Sequence, residues 1–113
     1  MYDSKCIFCQ IIHGEIPSAM IYEDEKMCVF KDVDPKAEVH LLAVPKTHFK
    51  LLSQAGEAEK EILAHMFGKI PSIAENSGYN NGYRLVINQG DDAGQTVHHL
   101  HVHILGGEKL GGF

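Results

Sequence analysis

The sequence predicts an α+β fold, in which an antiparallel sheet packs against helices. Short apolar segments bounded by turn residues precede one long stretch with helical periodicity, and further short segments follow it. The last segment alternates histidine with aliphatic residues, as is typical of a strand with one buried face. Strands, one long helix and then more strands favour helices on one face of the sheet.

The first half of the chain reads as one short helix and three strands. The helix is predicted over Phe8–His13 and ends before Pro17. A polar turn at Asp24 to Lys26 indicates a hairpin, and Asp34-Pro35 breaks the strand that follows it. The third strand is almost continuously apolar. The predicted strands are Met20–Glu23, Met27–Val33 and Val39–Val44.

The second half begins with an amphipathic helix and ends with two strands. Apolar residues recur at spacings of three and four, at Ala58, Ile62, Leu63, Met66, Phe67, Ile70, Ile73 and Ala74. Pro71 lacks a backbone donor, so we expect it to kink or split this helix near its middle. The residues Gly78 to Gly82 end the helix, and the last strands are predicted over Tyr83–Gln89 and His99–Leu105.

The composition excludes several classes of protein. With 113 residues and 44% hydrophobic residues, the chain is predicted to be a single domain over 1–113. A net charge of -5 argues against a general binder of nucleic-acid polymers. No apolar run approaches the ~20 residues that cross a bilayer, and the N-terminus lacks the regions of a signal peptide. We therefore expect a cytoplasmic protein that does not engage membranes and whose three cysteines are reduced or bind metal.

The histidine run is the strongest functional signal. His99, His101 and His103 alternate with aliphatic residues, which predicts three imidazoles on one face of a strand, and the strand at Val39–Val44 brings His40 alongside. Histidine titrates near physiological pH, so the cluster suits proton transfer, nucleophilic attack or metal binding. The glycine-containing loop before it can turn backbone N–H groups toward an anion, or can be an ordinary connection.

The remaining cysteines and histidines leave alternatives open. Cys6 and Cys9 are half of a zinc site, a redox pair or buried thiols, although no strand precedes them as a redox pair usually requires. Cys28 lies within a predicted strand and is interpreted as core. No role is assigned to three further histidines, which are expected at the surface: His13, His65 and His98.

The chain resembles the histidine triad (HIT) family, whose signature is His-x-His-x-His followed by apolar residues. The resemblance extends over nearly the whole chain, through Cys6 to Pro17, Phe30 to Pro35, His40 to His48 and Asn88 to Thr96. It is strongest to the nucleoside phosphoramidase branch in its zinc-containing, bacterial-type form. It implies a five-stranded antiparallel sheet with one long and one short helix, and a homodimer formed by the long helix and the fourth strand.

The resemblance also implies residue roles. His101 corresponds to the nucleophile that becomes nucleotidylated, while His103, His40 and Thr96 support the phosphate or the leaving group. The purine nucleotide, such as AMP or its phosphoramidate, is expected to contact Ile7, Phe8, Ile11, Phe30, Asp32, Val33, Asn88, Gly94, Gln95, Thr96, His101 and His103. Asp32 matches the ribose-binding position. A structural Zn²⁺ is implied at Cys6, Cys9, His48 and His99.

These roles predict hydrolysis of adenosine 5'-phosphoramidates. A second enzymatic hypothesis is hydrolysis of dinucleoside polyphosphates, whereas nucleotidyl transfer to a sugar phosphate is disfavoured because that relative has Gln where this chain has His103. Two other classes are a nucleotide-binding or partner-binding module with incidental catalysis, and a metalloenzyme whose histidine run holds catalytic zinc. The short tail after Gly107 leaves the leaving group open.

Overall fold

The computed structural model describes residues 2–79 and 81–112; Phe113, the end of the tail, lies outside them. The helices are α1 (Ile7–Ile12) and α2 (Glu57–Glu75). The strands are β1 (Met20–Glu23), β2 (Met27–Lys31), β3 (Val39–Pro45), β4 (Tyr83–Val86) and β5 (Val102–Gly106). They form one sheet in the order β1-β2-β3-β5-β4, and every neighbouring pair is antiparallel. The predicted α+β class, with one long and one short helix, is confirmed.

The β1–β2 turn is built around one carboxylate. Asp24 accepts hydrogen bonds from the backbone N–H groups of Lys26 and Met27 and from the Tyr22 hydroxyl. His65 of α2, expected at the surface without a role, lies 2.7 Å from the same carboxylate; its half-buried side chain ties the long helix to the hairpin. Burial alone raises the pKa of Asp24, but these hydrogen bonds outweigh it and hold the pKa below its usual range.

The sheet is buried on both faces. Side chains of α2 pack on one face, against alternate residues of the central strands such as Val29, Leu41 and Ile104. Phe8 and Cys9 of α1 pack on the opposite face, against the intervening residues of β2 and β3. The prediction of helices on one face is therefore wrong. The near-continuous apolar character of β2 and β3 is explained by this burial from both sides.

Two local predictions also need correction. Pro71 does not split α2, which continues to Glu75. Pro71 has no N–H to bond the Phe67 carbonyl one turn earlier. Both residues are exposed, Phe67 to 40%, so water can donate a hydrogen bond to that carbonyl. The last strand begins at Val102 and not at His99. No helix among the described residues has the length and apolar character needed to cross a membrane.

Candidate functional site

An irregular segment carries the first half of the histidine run into β5. The ring of His99 donates from Nε2 to the Pro45 carbonyl at the end of β3, at 2.8 Å. The next residue, Leu100, donates its backbone N–H to the Phe49 carbonyl at 2.7 Å. These two bonds fix the segment to the chain that follows β3, so the histidines are held in place although only His103 belongs to the strand.

His99 faces a cluster of sulfur and nitrogen atoms. Because its Nε2 carries the proton, its Nδ1 offers a lone pair. The Nδ1 atom lies 3.3 Å from Cys6 Sγ, 3.6 Å from Cys9 Sγ and 3.1 Å from His48 Nδ1. These four side chains offer donor atoms within 4.8 Å of one another. Burial lowers the pKa of His99 to about 4, which favours the neutral, ligating form. Two thiolates and two imidazoles are a donor set typical of tetrahedral zinc.

His101 has the opposite ring orientation. Its Nδ1 lies 2.7 Å from the His99 carbonyl oxygen, which can only accept, so the proton is on Nδ1. The Nε2 lone pair is therefore free. Burial lowers the pKa of His101, which favours the neutral ring. The Phe8 ring packs edge-on against both imidazoles, with centroids 5.1 Å from His101 and 5.9 Å from His99.

His103 is joined to β3. His40 Nε2 lies 2.9 Å from His103 Nδ1 and 3.4 Å from an Asp32 carboxylate oxygen. His103 Nε2 is buried and has no hydrogen-bond partner among the described residues. Burial, together with the neighbouring imidazoles, lowers the pKa of His103 to about 4, and burial also lowers the pKa of His40. The registers of β3 and β5 place His40 and His103 on the sheet face that carries α1.

A cavity of about 410 Å³ opens beside these histidines. That volume suits a small organic ligand. Nine residues predicted to contact nucleotide line it: Ile7, Phe8, Ile11, Phe30, Asp32, Val33, Thr96, His101 and His103. His40 lies behind His103, 5% exposed. The cavity thus has an apolar side and an imidazole side, as a ligand with an apolar ring and a charged group requires.

Comparison with known proteins places this arrangement in a family. The family model described as "Scavenger mRNA decapping enzyme C-term binding" matches residues 5–112. A "14 kDa zinc-binding protein" from Zea mays is 44% identical over 96% of this chain and 86% of its own length. The solved structure of a histidine triad protein from Clostridium difficile superposes with a TM-score of 0.94 at 43% identity, covering 100% of this chain and 99% of that one.

The chain belongs to the histidine triad (HIT) family. A structure described as a HIT family hydrolase from Clostridium thermocellum is also similar, with a TM-score of 0.93 and 42% identity over 98% of this chain and 97% of that one. The family and the five-stranded fold that were predicted from the sequence are confirmed. The roles of individual residues remain predictions.

Three of the predicted HIT nucleotide contacts do not line the cavity: Asn88, Gly94 and Gln95. Gln95 instead closes its own loop, because its side-chain oxygen accepts from Gly90 N at 2.9 Å and its amide donates to the Lys50 carbonyl at 3.0 Å. Gly94 N also bonds within the loop, to the Asp91 carbonyl. The N–H groups of Gly90 and Gly94 are therefore occupied, and this loop supports the site from outside the cavity.

The cavity also includes residues that the sequence did not single out. They are Ile16, Pro17, Ser18, Lys31, Asp34, Lys36, Leu42 and Val97. Leu42 had a usable signal, because it alternates with His40 along a predicted strand and so shares its face. The others lie on turns or loops, or at a strand end. The remaining histidines are exposed at His13 and His98, as expected, and Cys28 is fully buried as predicted.

Proposed function

We propose that this HIT protein hydrolyses the P–N bond of adenosine 5'-phosphoramidates through a nucleotidyl-His101 intermediate. One observation carries the proposal: the His99 carbonyl holds the proton of His101 on Nδ1, which leaves the Nε2 lone pair available beside the cavity. A neutral, oriented imidazole is a competent nucleophile toward phosphorus.

The reaction is a double displacement. His101 Nε2 attacks the α-phosphorus, and the P–N bond breaks with its electron pair remaining on the departing nitrogen, which leaves as an amine after taking a proton from solvent. Water then attacks the nucleotidyl-histidine, releases the nucleoside monophosphate and restores neutral His101. Each displacement is easier than direct hydrolysis.

The surrounding residues have supporting roles. The unpartnered Nε2 of His103 can donate to a nonbridging phosphoryl oxygen as negative charge develops. His40 orients His103, and the Thr96 hydroxyl at the cavity wall reaches the phosphate or the leaving group. The Asp32 carboxylate accepts hydrogen bonds from the ribose hydroxyls, and Phe8 and Phe30 enclose the purine on the apolar side.

A structural zinc ion belongs to the same proposal. Cys6, Cys9, His48 and His99 would fill all four positions of a tetrahedral ion, so the metal would anchor the N-terminal segment to the histidine run and would not activate water. The three histidines of the run do not share one metal position, because His99 and His101 direct their free nitrogens differently. This orientation argues against a catalytic metal held by the run.

A homodimer is proposed through α2 and β4. Strand β4 lies at the edge of the sheet, and the residues Tyr83 and Leu85 on it, with Phe67 of α2, are large apolar side chains at least 38% exposed. Apolar side chains on an open strand edge favour association with a second copy.

The test is intact-protein mass spectrometry after early quenching with an adenosine phosphoramidate. Wild type is expected to carry a covalent AMP adduct while amine is released, and His101→Ala is expected to carry none. Cleavage without an adduct in single-turnover sampling would indicate direct attack by water. Absence of cleavage, with nucleotide still bound, would favour a binding module, and cleavage of a dinucleoside polyphosphate alone would favour the second enzymatic hypothesis.

A further inference from the structure

We propose that the backbone N–H of Lys36 determines which nitrogen of His103 carries a proton, acting through His40. Lys36 is thus a positioning residue by virtue of its main chain. The part that this proton plays in catalysis rests on the proposed function, whereas its position on His103 does not.

The first step is the bond from Lys36 to His40. Lys36 N lies 3.0 Å from His40 Nδ1. A backbone N–H can only donate, so Nδ1 must be the unprotonated nitrogen of this ring. Neutral His40 therefore carries its proton on Nε2.

The second step passes this constraint to His103. His40 Nε2 lies 2.9 Å from His103 Nδ1. Because His40 donates from Nε2, His103 must accept at Nδ1, and its own proton lies on Nε2. Within the described part of the chain, His103 Nε2 is buried without a hydrogen-bond partner, and His103 lines the cavity. The chain of bonds therefore ends in an unsatisfied donor, whose complement is an anionic acceptor such as a phosphoryl oxygen.

The turn that presents Lys36 N–H is internally braced. Asp32 N donates to the His40 carbonyl at 3.0 Å, which closes the loop between β2 and β3. The Asp32 carboxylate accepts from Asp34 N at 2.9 Å through one oxygen, and its other oxygen lies 3.4 Å from His40 Nε2. The negative charge beside Nε2 favours a proton there, in agreement with the Lys36 bond.

The same geometry argues against a second metal site. Asp32, His40 and His103 offer donor atoms within 4.8 Å of one another, as metal ligands do. An ion there would need unprotonated His40 Nε2 and His103 Nδ1, which would move the His40 proton to Nδ1, where Lys36 N–H already points. The cluster is therefore a hydrogen-bond relay.

Imidazole ¹⁵N NMR on the zinc-loaded protein at neutral pH tests the proposal, because protonated and unprotonated ring nitrogens resonate far apart. Wild type is expected to show Nε2–H forms of both His40 and His103. Lys36→Pro removes the donor and is expected to give mixed tautomers at both rings, whereas Lys36→Ala, which retains the N–H, is expected to keep the wild-type pattern. An Nδ1–H form of His103 in wild type, or an unchanged pattern in a folded Lys36→Pro protein, would overturn the proposal.

A second pair of variants avoids dependence on the proline. His40→Gln retains an N–H donor near the position of Nε2 and is expected to keep His103 in its Nε2–H form, whereas His40→Leu is expected to produce a mixture. Identical His103 spectra in the two variants would contradict the relay. The spectra need no substrate, so tautomers as expected in a protein that cleaves no phosphoramidate would refute the proposed function alone. Nucleotidylation of His101 with the wrong tautomers would refute the relay alone.

Discussion

The first two histidines of the run, His99 and His101, use the same side chain in opposite ways. His99 donates from Nε2 to the Pro45 carbonyl, and its Nδ1 faces two thiols and the imidazole of His48. Two residues later, His101 donates from Nδ1 to the His99 carbonyl and leaves Nε2 free beside the cavity. A backbone carbonyl therefore selects which nitrogen of each ring remains available, and adjacent members of one repeat can serve a metal cluster and a reaction centre.

The main chain links His99 to His101, so the roles of the two side chains can be separated. The acceptor for His101 is the carbonyl of His99 and not its ring. Removing the His99 side chain leaves that acceptor in place, so metal binding and nucleophile orientation can be perturbed independently.

The largest expected effect follows removal of the nucleophile. His101→Ala is expected to lower turnover of an adenosine phosphoramidate by at least about 10³-fold, because it removes the proposed nucleophile of the covalent intermediate. Steady-state kinetics measure it. His98→Ala, at an exposed neighbouring position, is the matched control and should retain wild-type turnover. Comparable activity of His101→Ala and wild type would place the reaction centre elsewhere.

Removal of the His99 side chain should affect stability. His99→Ala is expected to lose bound zinc and to lower the free energy of unfolding by about 3 kcal/mol or more, because the proposed zinc ion would stabilise the folded chain over the unfolded one. Metal analysis and denaturant unfolding check this result. Cys28→Ala, a buried cysteine outside the cluster, should retain zinc and cost about 1 kcal/mol. Retention of stoichiometric zinc by His99→Ala would separate His99 from the metal cluster.

The segment that contains these two histidines shows what the sequence could and could not predict. The strict alternation of histidine with aliphatic residues predicted a strand correctly from Val102 onward. It failed at His99 because the Pro45 and Phe49 carbonyls, more than 50 residues earlier in the chain, bond this segment outside the sheet. Such long-range bonds leave no local periodicity in the sequence.

The same limitation explains the other errors. The side of the sheet that α1 covers depends on the packing of Phe8 and Cys9 on β2 and β3, which periodicity in α1 does not specify. His65 reads as an exposed helical residue until the β1–β2 turn places Asp24 beside it. The family motifs predicted most of the nucleotide contacts that line the cavity. Gln95 was predicted as such a contact but instead accepts a hydrogen bond from a backbone N–H of its own loop.

A smaller effect is expected at the cavity rim. Asp32→Asn keeps an oxygen for the Asp34 N–H but loses the negative charge that, in the proposed function, strengthens hydrogen bonds from the ribose hydroxyls, so kcat/KM is expected to fall about tenfold. Comparison of ribo and 2'-deoxyribo substrates sharpens the test. Wild type should discriminate against the deoxy substrate, and Asp32→Asn should discriminate less. Equal discrimination by both proteins would remove Asp32 from ribose recognition.

The smallest expected effect is on the pH profile between pH 8 and 6.5. Burial lowers the pKa of His101 from its ordinary value, so kcat/KM is expected to fall less across this range than it would with an imidazole of ordinary pKa. As the pH falls further through the lowered pKa, protonation removes the Nε2 lone pair and activity declines. An imidazole of ordinary pKa would already lose about half its activity at pH 6.5. A halving at that pH in wild type would contradict burial as the dominant influence.

Phe8 contacts both His99 and His101, and this shared contact has a thermodynamic consequence. Its ring packs against the two imidazoles and also forms part of the cavity wall, while Cys6 and Cys9 near it in the chain belong to the cluster of potential metal ligands. A free-energy coupling between two sites is equal in both directions. If bound metal positions Phe8 so that a ligand binds more tightly in the cavity, then that ligand must raise the affinity for metal by the same factor. Occupancy of one site thus reports affinity at the other.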